Sequence, residues 1–177
     1  MNQYPRNQEI FRAVDMYPNY EISSHGRLRN SKTGRILIPQ LTGAEGNQYL
    51  SVKLYSRGVG TNYKIHQLVA FAFCENPENL PCVDHADRDP NNNNYWNLRW
   101  ATHLLNNMNR TKTTKKPTSS RYKGVYFNKV ANKFQAYINS NGQRNHLGLF
   151  VNEEDAARHY DISARELYGE FANPNFP

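Results

Sequence analysis

The sequence lacks the features of secreted and membrane proteins. Its 177 residues include only two cysteines, Cys74 and Cys82, whereas a disulfide-stabilised domain uses more. No apolar run approaches the length that crosses a membrane, and the residues after Met1 contain no apolar core like that of a secretion signal. We therefore expect an intracellular protein, in the cytoplasm or nucleoid of its host cell, that does not bind membranes.

Acidic residues are missing from the middle of the chain. Residues 90–152 contain ten Lys or Arg and no Asp or Glu, and the whole chain has a formal net charge of +7. A segment of this kind sustains a positive electrostatic field. Nucleic acid is the partner that this field favours. The alternatives are a solvated basic surface without a partner and an anionic membrane, although no basic amphipathic helix supports the latter.

Hydrophobic residues are also scarce, at 38% of the chain, which argues against one large core and for small units. Residues 1–60 are rich in short strand and turn patterns, and residues 61–109 form a separate unit. Residues 110–120 are polar and basic, as in a linker. Residues 121–177 then form a second small unit. The sequence therefore predicts a modular α+β protein, and we expect it to be a monomer.

Period-two alternation predicts a strand over residues 49–55, a turn over 56–62 and a partner strand over 63–66. The apolar run 68–73 is typical of a short helix that packs on these strands. Gly26, between two runs of strand-forming residues, indicates a hairpin.

The next segment reads strand, loop, strand, helix. Residues 83–85 and 98–101 are predicted as strands, and the Asp/Asn/Pro-rich residues 86–96 as the loop between them. Thr102 is a favourable N-cap, which predicts a short helix over residues 103–109.

The C-terminal unit shows three alternating segments, at residues 121–127, 133–139 and 145–150, which predict a three-stranded antiparallel sheet. Asn152 followed by acidic residues is typical of a helix N-terminus. Apolar and small residues then recur at helical spacing, at Ala156, Ala157, Tyr160, Ala164 and Leu167. We expect one helix to pack on the back of the sheet.

Asp84, His85 and Asn106 combine the groups that phosphodiester hydrolysis requires. Carboxylate and carboxamide oxygens suit one Mg²⁺ or Mn²⁺ ion rather than zinc, and a histidine can serve as the general base. Adjacent strand residues point to opposite faces, so Asp84 and His85 converge only if the strand end is twisted or bulged. The alternatives are a purely structural His85 and a zinc site with the two cysteines, which form no Cys-x-x-Cys pair.

The stretch from Val83 to Asn107 resembles the HNH nuclease motif, the ββα-metal fold, as found in intron-encoded homing endonucleases of phages and large viruses. The resemblance implies that Asp84 and Asn106 are metal ligands and that His85 is the catalytic base. It also implies a catalytic role for Asn97, which would hold the loop and orient His85. Residues 65–73 and 20–28 are similar to segments that precede the nuclease in these enzymes. His66, within the first of them, is interpreted as a packing residue.

Residues 119–177 resemble the Apetala and ethylene-response type of DNA-binding domain, through Tyr122-Lys-Gly-Val, His146-Leu-Gly-Leu-Phe and Asn175-Phe-Pro. Such domains lay a three-stranded sheet in the major groove. The resemblance and the basic linker together give the predicted DNA-binding residues, which are Lys112, Lys115, Lys116, Arg121, Lys123, Tyr126, Asn128, Tyr137, Asn139, Arg144 and His146.

These observations predict a site-directed HNH DNA endonuclease of the homing type, with one Mg²⁺ or Mn²⁺ ion and a histidine base. The partner that the two resemblances imply is double-stranded DNA, which the C-terminal sheet domain would position. One alternative is a non-catalytic DNA-binding regulator built on that domain. Another is a nuclease that is structure-specific or directed by RNA.

Overall fold

The computed structural model describes residues 4–45, 48–112, 118–140 and 142–176. The chain divides into two compact units, Met1–His103 and Leu104–Pro177. The predicted boundaries at residues 60, 109 and 120 are not tested by this division and stay predictions.

The first unit contains small antiparallel sheets and one central helix. The first sheet has the strand order β1-β2-β3-β4 and the second the order β5-β6-β7, while β8 pairs with β9. The elements are β1 (Phe11–Val14), β2 (Tyr17–Ser23), β3 (Leu28–Asn30), β4 (Ile36–Leu37), β5 (Gln40–Thr42), β6 (Tyr49–Ser56), β7 (Val59–Lys64), helix α1 (Ile65–Phe73), β8 (Cys82–His85), a 3-10 turn (Tyr95–Asn97) and β9 (Leu98–Ala101).

Helix α1 is the centre of the core of this unit. Ile65, Leu68, Val69 and Phe73 recur at helical spacing and are buried, as the i, i+3, i+4 rule requires. The helix contacts strands of both N-terminal sheets and also β8 and β9. It therefore fixes the β8–β9 pair against the preceding strands.

The turn between β6 and β7 is shorter than the sequence predicted. Arg57 and Gly58 both take positive φ, 51° and 81°, and connect β6 to β7 as a tight hairpin. The predicted turn over residues 56–62 is therefore wrong, because β7 already begins at Val59. Residues 65 and 66 were predicted as part of a strand. They instead form the start of α1, where the side chains of Ile65 and His66 are buried.

The second unit is a three-stranded antiparallel sheet with one packed helix. Helix α2 (His103–Asn109) begins at the last residue of the first unit and continues into the second. The sheet order is β10 (Val125–Asn128), β11 (Lys133–Ser140), β12 (Gln143–Phe150), followed by α3 (Glu153–Tyr168) and a 3-10 turn (Gly169–Phe171).

Helix α3 covers one face of this sheet. Ala156, Ala157, Tyr160 and Ala164 are buried, as the helical spacing predicted. Leu167 is the exception, because it is 49% exposed, whereas Tyr168 is 6% exposed and packs in its place. None of the described helices is both long and apolar enough to cross a membrane.

Candidate active site

Strands β8 and β9 place Asp84 and His85 at adjacent positions, with Arg99 opposite Asp84 and Leu98 opposite His85. Both side chains are almost fully buried, at 4% and 7% exposure. Their neighbours differ, as expected for successive residues of a strand. Asp84 faces a cation and His85 faces rings and an amide.

The Asp84 carboxylate is paired with Arg99. Arg99 Nε and Nη2 each lie 2.9 Å from Asp84 Oδ2. A buried carboxylate needs such a partner, because burial of an isolated charge is costly. The pair therefore allows a negative charge to be kept inside the site.

The His85 ring is held by an amide that the sequence did not single out. His85 Nε2 lies 3.3 Å from Asn93 Oδ1, and Asn93 Nδ2 donates to the backbone oxygen of Asn91 at 3.1 Å. Since the amide nitrogen is used in that second bond, the amide oxygen faces His85, and His85 Nε2 donates to it. Burial lowers the pKa of His85 below its usual value, so the imidazole is neutral at neutral pH.

Two further aromatic side chains enclose His85. Its ring meets His66 edge to face, with 4.9 Å between centroids, and stacks on Tyr49 at 6.3 Å and an interplanar angle of 19°. His66 was predicted to be a packing residue and is indeed only 4% exposed. Within the described part of the chain its Nδ1 atom has no hydrogen-bond partner.

Asn97 holds the loop that follows His85. Its Nδ2 donates to Asp87 Oδ1 and to the backbone oxygen of Asn92, both at 2.8 Å, while its Oδ1 accepts from the Asp87 backbone at 3.0 Å. Within this loop Arg88 takes a φ of 69°, a conformation that favours glycine. The structure thus brings Asn97 to the loop and brings Asn93 to the His85 ring.

Asn106, the other predicted metal ligand, lies on α2 in the second unit and is half-buried. The two cysteines have separate neighbours. Cys74 Sγ lies 3.5 Å from the backbone oxygen of Tyr95, and Cys82 Sγ lies 3.1 Å from His103 Nδ1. Among the described residues, no three His, Cys, Asp or Glu side chains are grouped as a metal site.

The second unit carries a polar and aromatic face on the side of the sheet opposite α3, here called the open face. The strand registers place there the side chains of Tyr126, Asn128, Gln135, Tyr137, Asn139, Arg144 and His146. Arg144 lies over two of the rings, with its guanidinium 3.5 Å from the Tyr137 centroid and 5.2 Å from the Tyr126 centroid. Six predicted DNA-binding residues therefore share one surface.

The remaining predicted DNA-binding residues have other surroundings. Lys112 Nζ donates to the backbone oxygens of Ser120 and Tyr122, at 2.7 and 2.6 Å. Lys123 Nζ donates to the backbone oxygen of Arg110 at 3.0 Å, and Arg121 contacts Glu154 at 3.3 Å. Lys115 and Lys116 lie outside the described residues.

Parts of the chain are similar to known proteins. Residues 9–55 match the NUMOD4 motif. The chain is 36% identical over 98 residues to an uncharacterized HNH endonuclease of Acanthamoeba polyphaga mimivirus, covering 55% of this chain and 29% of that protein. It is 35% identical over 88 residues to the DNA endonuclease I-HmuI of Bacillus phage SP01, covering 50% and 49%.

A solved structure, described as DNA binding and cleavage by the HNH homing endonuclease I-HmuI, matches with a TM-score of 0.51 and 33% identity. The match covers 56% of each chain. The chain thus spans about half, or less, of the length of these relatives.

Proposed function

We propose that this chain is a DNA endonuclease of the HNH homing type, which hydrolyses phosphodiester bonds at positions set by its second unit. The observation that carries the proposal is the neutral, buried His85 held by an amide beside the Arg99-paired Asp84. In this proposal, β8, β9 and α2 form a ββα-metal unit, and similarity to I-HmuI supports that assignment.

His85 is the proposed general base. With the Nε2 proton donated to Asn93, the neutral imidazole carries its basic lone pair on Nδ1. We assign to Nδ1 the proton of the attacking water. A base that is neutral at neutral pH can accept this proton without first losing one, which is the condition for general-base catalysis.

Asp84 and Asn106 are the proposed ligands of one Mg²⁺ or Mn²⁺ ion. Their carboxylate and amide oxygens are hard donors, which fit these ions better than zinc. The pairing with Arg99 fits this role, because it places a cation beside the buried Asp84 side chain. When bound, the metal ion supplies stabilisation of the charge that develops on the phosphate and the leaving 3′-oxygen.

Asn97 is proposed to keep the loop after His85 in place through its bonds to Asp87 and Asn92. We further propose that the second unit is a DNA-binding domain of the Apetala and ethylene-response type. Its open face combines two tyrosine rings, amides and a cation, which are groups that contact bases and phosphates.

The test is cleavage of supercoiled plasmid by the purified chain with Mg²⁺, with a chelator as control. His85→Ala should lower the cleavage rate by about 10²–10⁴-fold and leave DNA affinity within a few-fold, because His85 is assigned proton transfer. His159→Ala is the matched control, since His159 is an exposed residue of α3 in the second unit. Binding without cleavage by the wild-type chain would favour a non-catalytic DNA-binding regulator instead.

A further inference from the structure

The hairpin turn between β2 and β3 contacts the residue that holds His85. A Cβ atom at Gly26 would lie 2.9 Å from Asn93 Cβ and 3.3 Å from the Asn93 backbone oxygen. Two residues further along, the backbone N–H of Tyr95 donates to the backbone oxygen of Ser24 at 2.9 Å. The turn therefore contacts the active-site loop on both sides of Asn94.

Hydrogen bonds within the β2–β3 turn fix its backbone conformation. Ser23 Oγ accepts the backbone N–H of Arg27 at 2.8 Å, and the Gly26 N–H donates to the Ser23 backbone oxygen at 3.1 Å. Gly26 has a φ of 83°, which lies in the region that side chains disfavour. Position 26 thus requires glycine for two reasons, which are the positive φ and the close approach to Asn93.

Asn93 connects the turn to the His85 ring. It is 4% exposed, its amide nitrogen is fixed by Asn91, and its amide oxygen accepts from His85 Nε2. Any shift of the Asn93 backbone moves the acceptor that selects the His85 tautomer. A catalytic histidine depends on such an acceptor for both its tautomer and its orientation.

We infer that the β2–β3 turn of the NUMOD4-matched segment positions the active site of the nuclease, by holding Asn93 and, through Asn93, the His85 imidazole. Asn93 is a positioning residue in this arrangement. The inference rests on the proposed function, and it gives residues 9–55 a role in catalysis that is separate from any contact with DNA.

The test compares two glycines of the same sheet in the full-length chain. Gly26→Ala adds a methyl group against Asn93, whereas Gly34→Ala adds one where nothing lies within 4 Å. Gly34 has a φ of 70°, so both variants carry a similar backbone strain. Single-turnover cleavage rates, DNA affinity and melting temperature are measured for both, together with Asn93→Ala and the double variant Gly26→Ala/Asn93→Ala.

We expect Gly26→Ala and Asn93→Ala to cleave about 10- to 100-fold more slowly than Gly34→Ala, the usual effect of disturbing the support of a catalytic group. DNA affinity should stay within a few-fold. In the Asn93→Ala background, Gly26→Ala should have a smaller effect, because the amide through which the turn would act on His85 is already absent.

Two results would overturn the inference. One is a folded Asn93→Ala protein that cleaves at the rate of Gly34→Ala, and this result decides even if Gly26→Ala does not fold. The other is a fully additive double variant, which would mean that the turn does not act through Asn93. Failure of the wild-type chain to cleave DNA would instead reject the proposed function, so the two failures are distinguishable.

Discussion

The imidazole of His66 meets the imidazole of His85 edge to face, with 4.9 Å between the ring centroids. Two buried imidazoles at this distance favour the uncharged form of each other. Burial lowers the pKa of His66 to about 3, and the positive charges of Lys64 and of His85, once His85 is protonated in acid, add to this effect. His66 is therefore an uncharged side chain that packs against His85 in the proposed active site, and it is not a second group for proton transfer.

The stability of the first unit should fall in acid because of His66. In the unfolded chain His66 takes up a proton below pH 6.5, whereas in the folded chain it does so only near pH 3. The free energy of unfolding is therefore unaffected by His66 above pH 6.5 and decreases as the pH falls from 6.5 towards 3. At pH 4.5 the loss is about 3 kcal/mol.

Urea unfolding at pH 7 and pH 4.5, followed by tryptophan fluorescence, measures this loss. Both tryptophans, Trp96 and Trp100, lie in the first unit, so the signal reports that unit. His66→Phe keeps a ring in the same space but cannot be protonated, and it should lose less stability on acidification than the wild type. Equal losses in the two proteins would show that His66 does not carry the effect.

Removal of divalent metal should abolish cleavage. We expect the stripped protein to be inactive in chelator and to recover with Mg²⁺ or Mn²⁺ but not with zinc alone, because the proposed ligands are oxygens. Asp84→Asn should lower activity by about 100-fold or more, since the carboxylate charge is lost. Asp15→Asn is the control, because Asp15 is exposed in the β1–β2 turn.

The Asp84→Asn comparison has to be made well below the melting temperature. Loss of the carboxylate leaves Arg99 without its buried partner charge, and breaking such a pair typically costs about 3–5 kcal/mol. Circular dichroism establishes that the variant is folded. Full activity in chelator, or recovery with zinc only, would contradict the assignment of Asp84.

Local patterns predicted most of the elements. Alternation predicted a strand over residues 49–55, and β6 runs over Tyr49–Ser56; Thr102 predicted the start of α2, which spans His103–Asn109. Such signals lie within a few neighbouring residues. The β6–β7 hairpin was predicted with too long a turn, because the tight turn requires a positive φ at Arg57, which residue preference alone does not indicate.

The proposed active site was predicted only in part, for a related reason. Asp84 and His85 can be recognised in the sequence because an acidic residue and a histidine follow each other directly. Tyr49 and His66 reach His85 from β6 and α1 only through tertiary packing, and no spacing rule connects them. Asn93 was one of four consecutive asparagines, and nothing but its burial and its bond to His85 distinguishes it.

Arg144 should contribute more to DNA affinity than an arginine on the other side of the same unit. Arg144 lies on the open face over Tyr137, at 3.5 Å, whereas Arg158 lies on α3 over Phe176, at 4.6 Å. Both changes to alanine remove one charge, and they remove the contacts of Arg144 with two rings and of Arg158 with one ring. We expect Arg144→Ala to weaken binding by about 5- to 100-fold and Arg158→Ala to leave it nearly unchanged.

Binding of both variants to a duplex that the wild type cleaves, at several salt concentrations, measures this difference. Loss of a phosphate contact reduces the slope of log affinity against log salt by about 0.9, whereas loss of a base contact leaves the slope in place and weakens sequence preference. Equal affinities of the two variants would mean that the open face does not bind DNA.

Asp161 should be a main determinant of the stability of the second unit. It is 2% exposed, and its carboxylate accepts the Asn175 backbone N–H at 2.7 Å, the Asn175 side-chain amide at 3.0 Å and the Phe176 backbone N–H at 2.9 Å. Asn175 in turn accepts the backbone N–H of Lys123 at 2.7 Å. One buried carboxylate thus ties the C-terminal residues to α3 and to the start of the sheet.

Asp161→Ala should lower the free energy of unfolding of this unit by about 2–3 kcal/mol, because it leaves buried N–H groups without an acceptor. Glu166→Ala is the matched control, since Glu166 is an exposed acid of the same helix. Thermal unfolding is followed by far-ultraviolet circular dichroism and by tryptophan fluorescence. The second unit contains no tryptophan, so a shift seen by circular dichroism alone belongs to it. Equal melting curves for the two variants would show that the C-terminal residues are held by their apolar contacts, such as Phe176 against Tyr122, and not by Asp161.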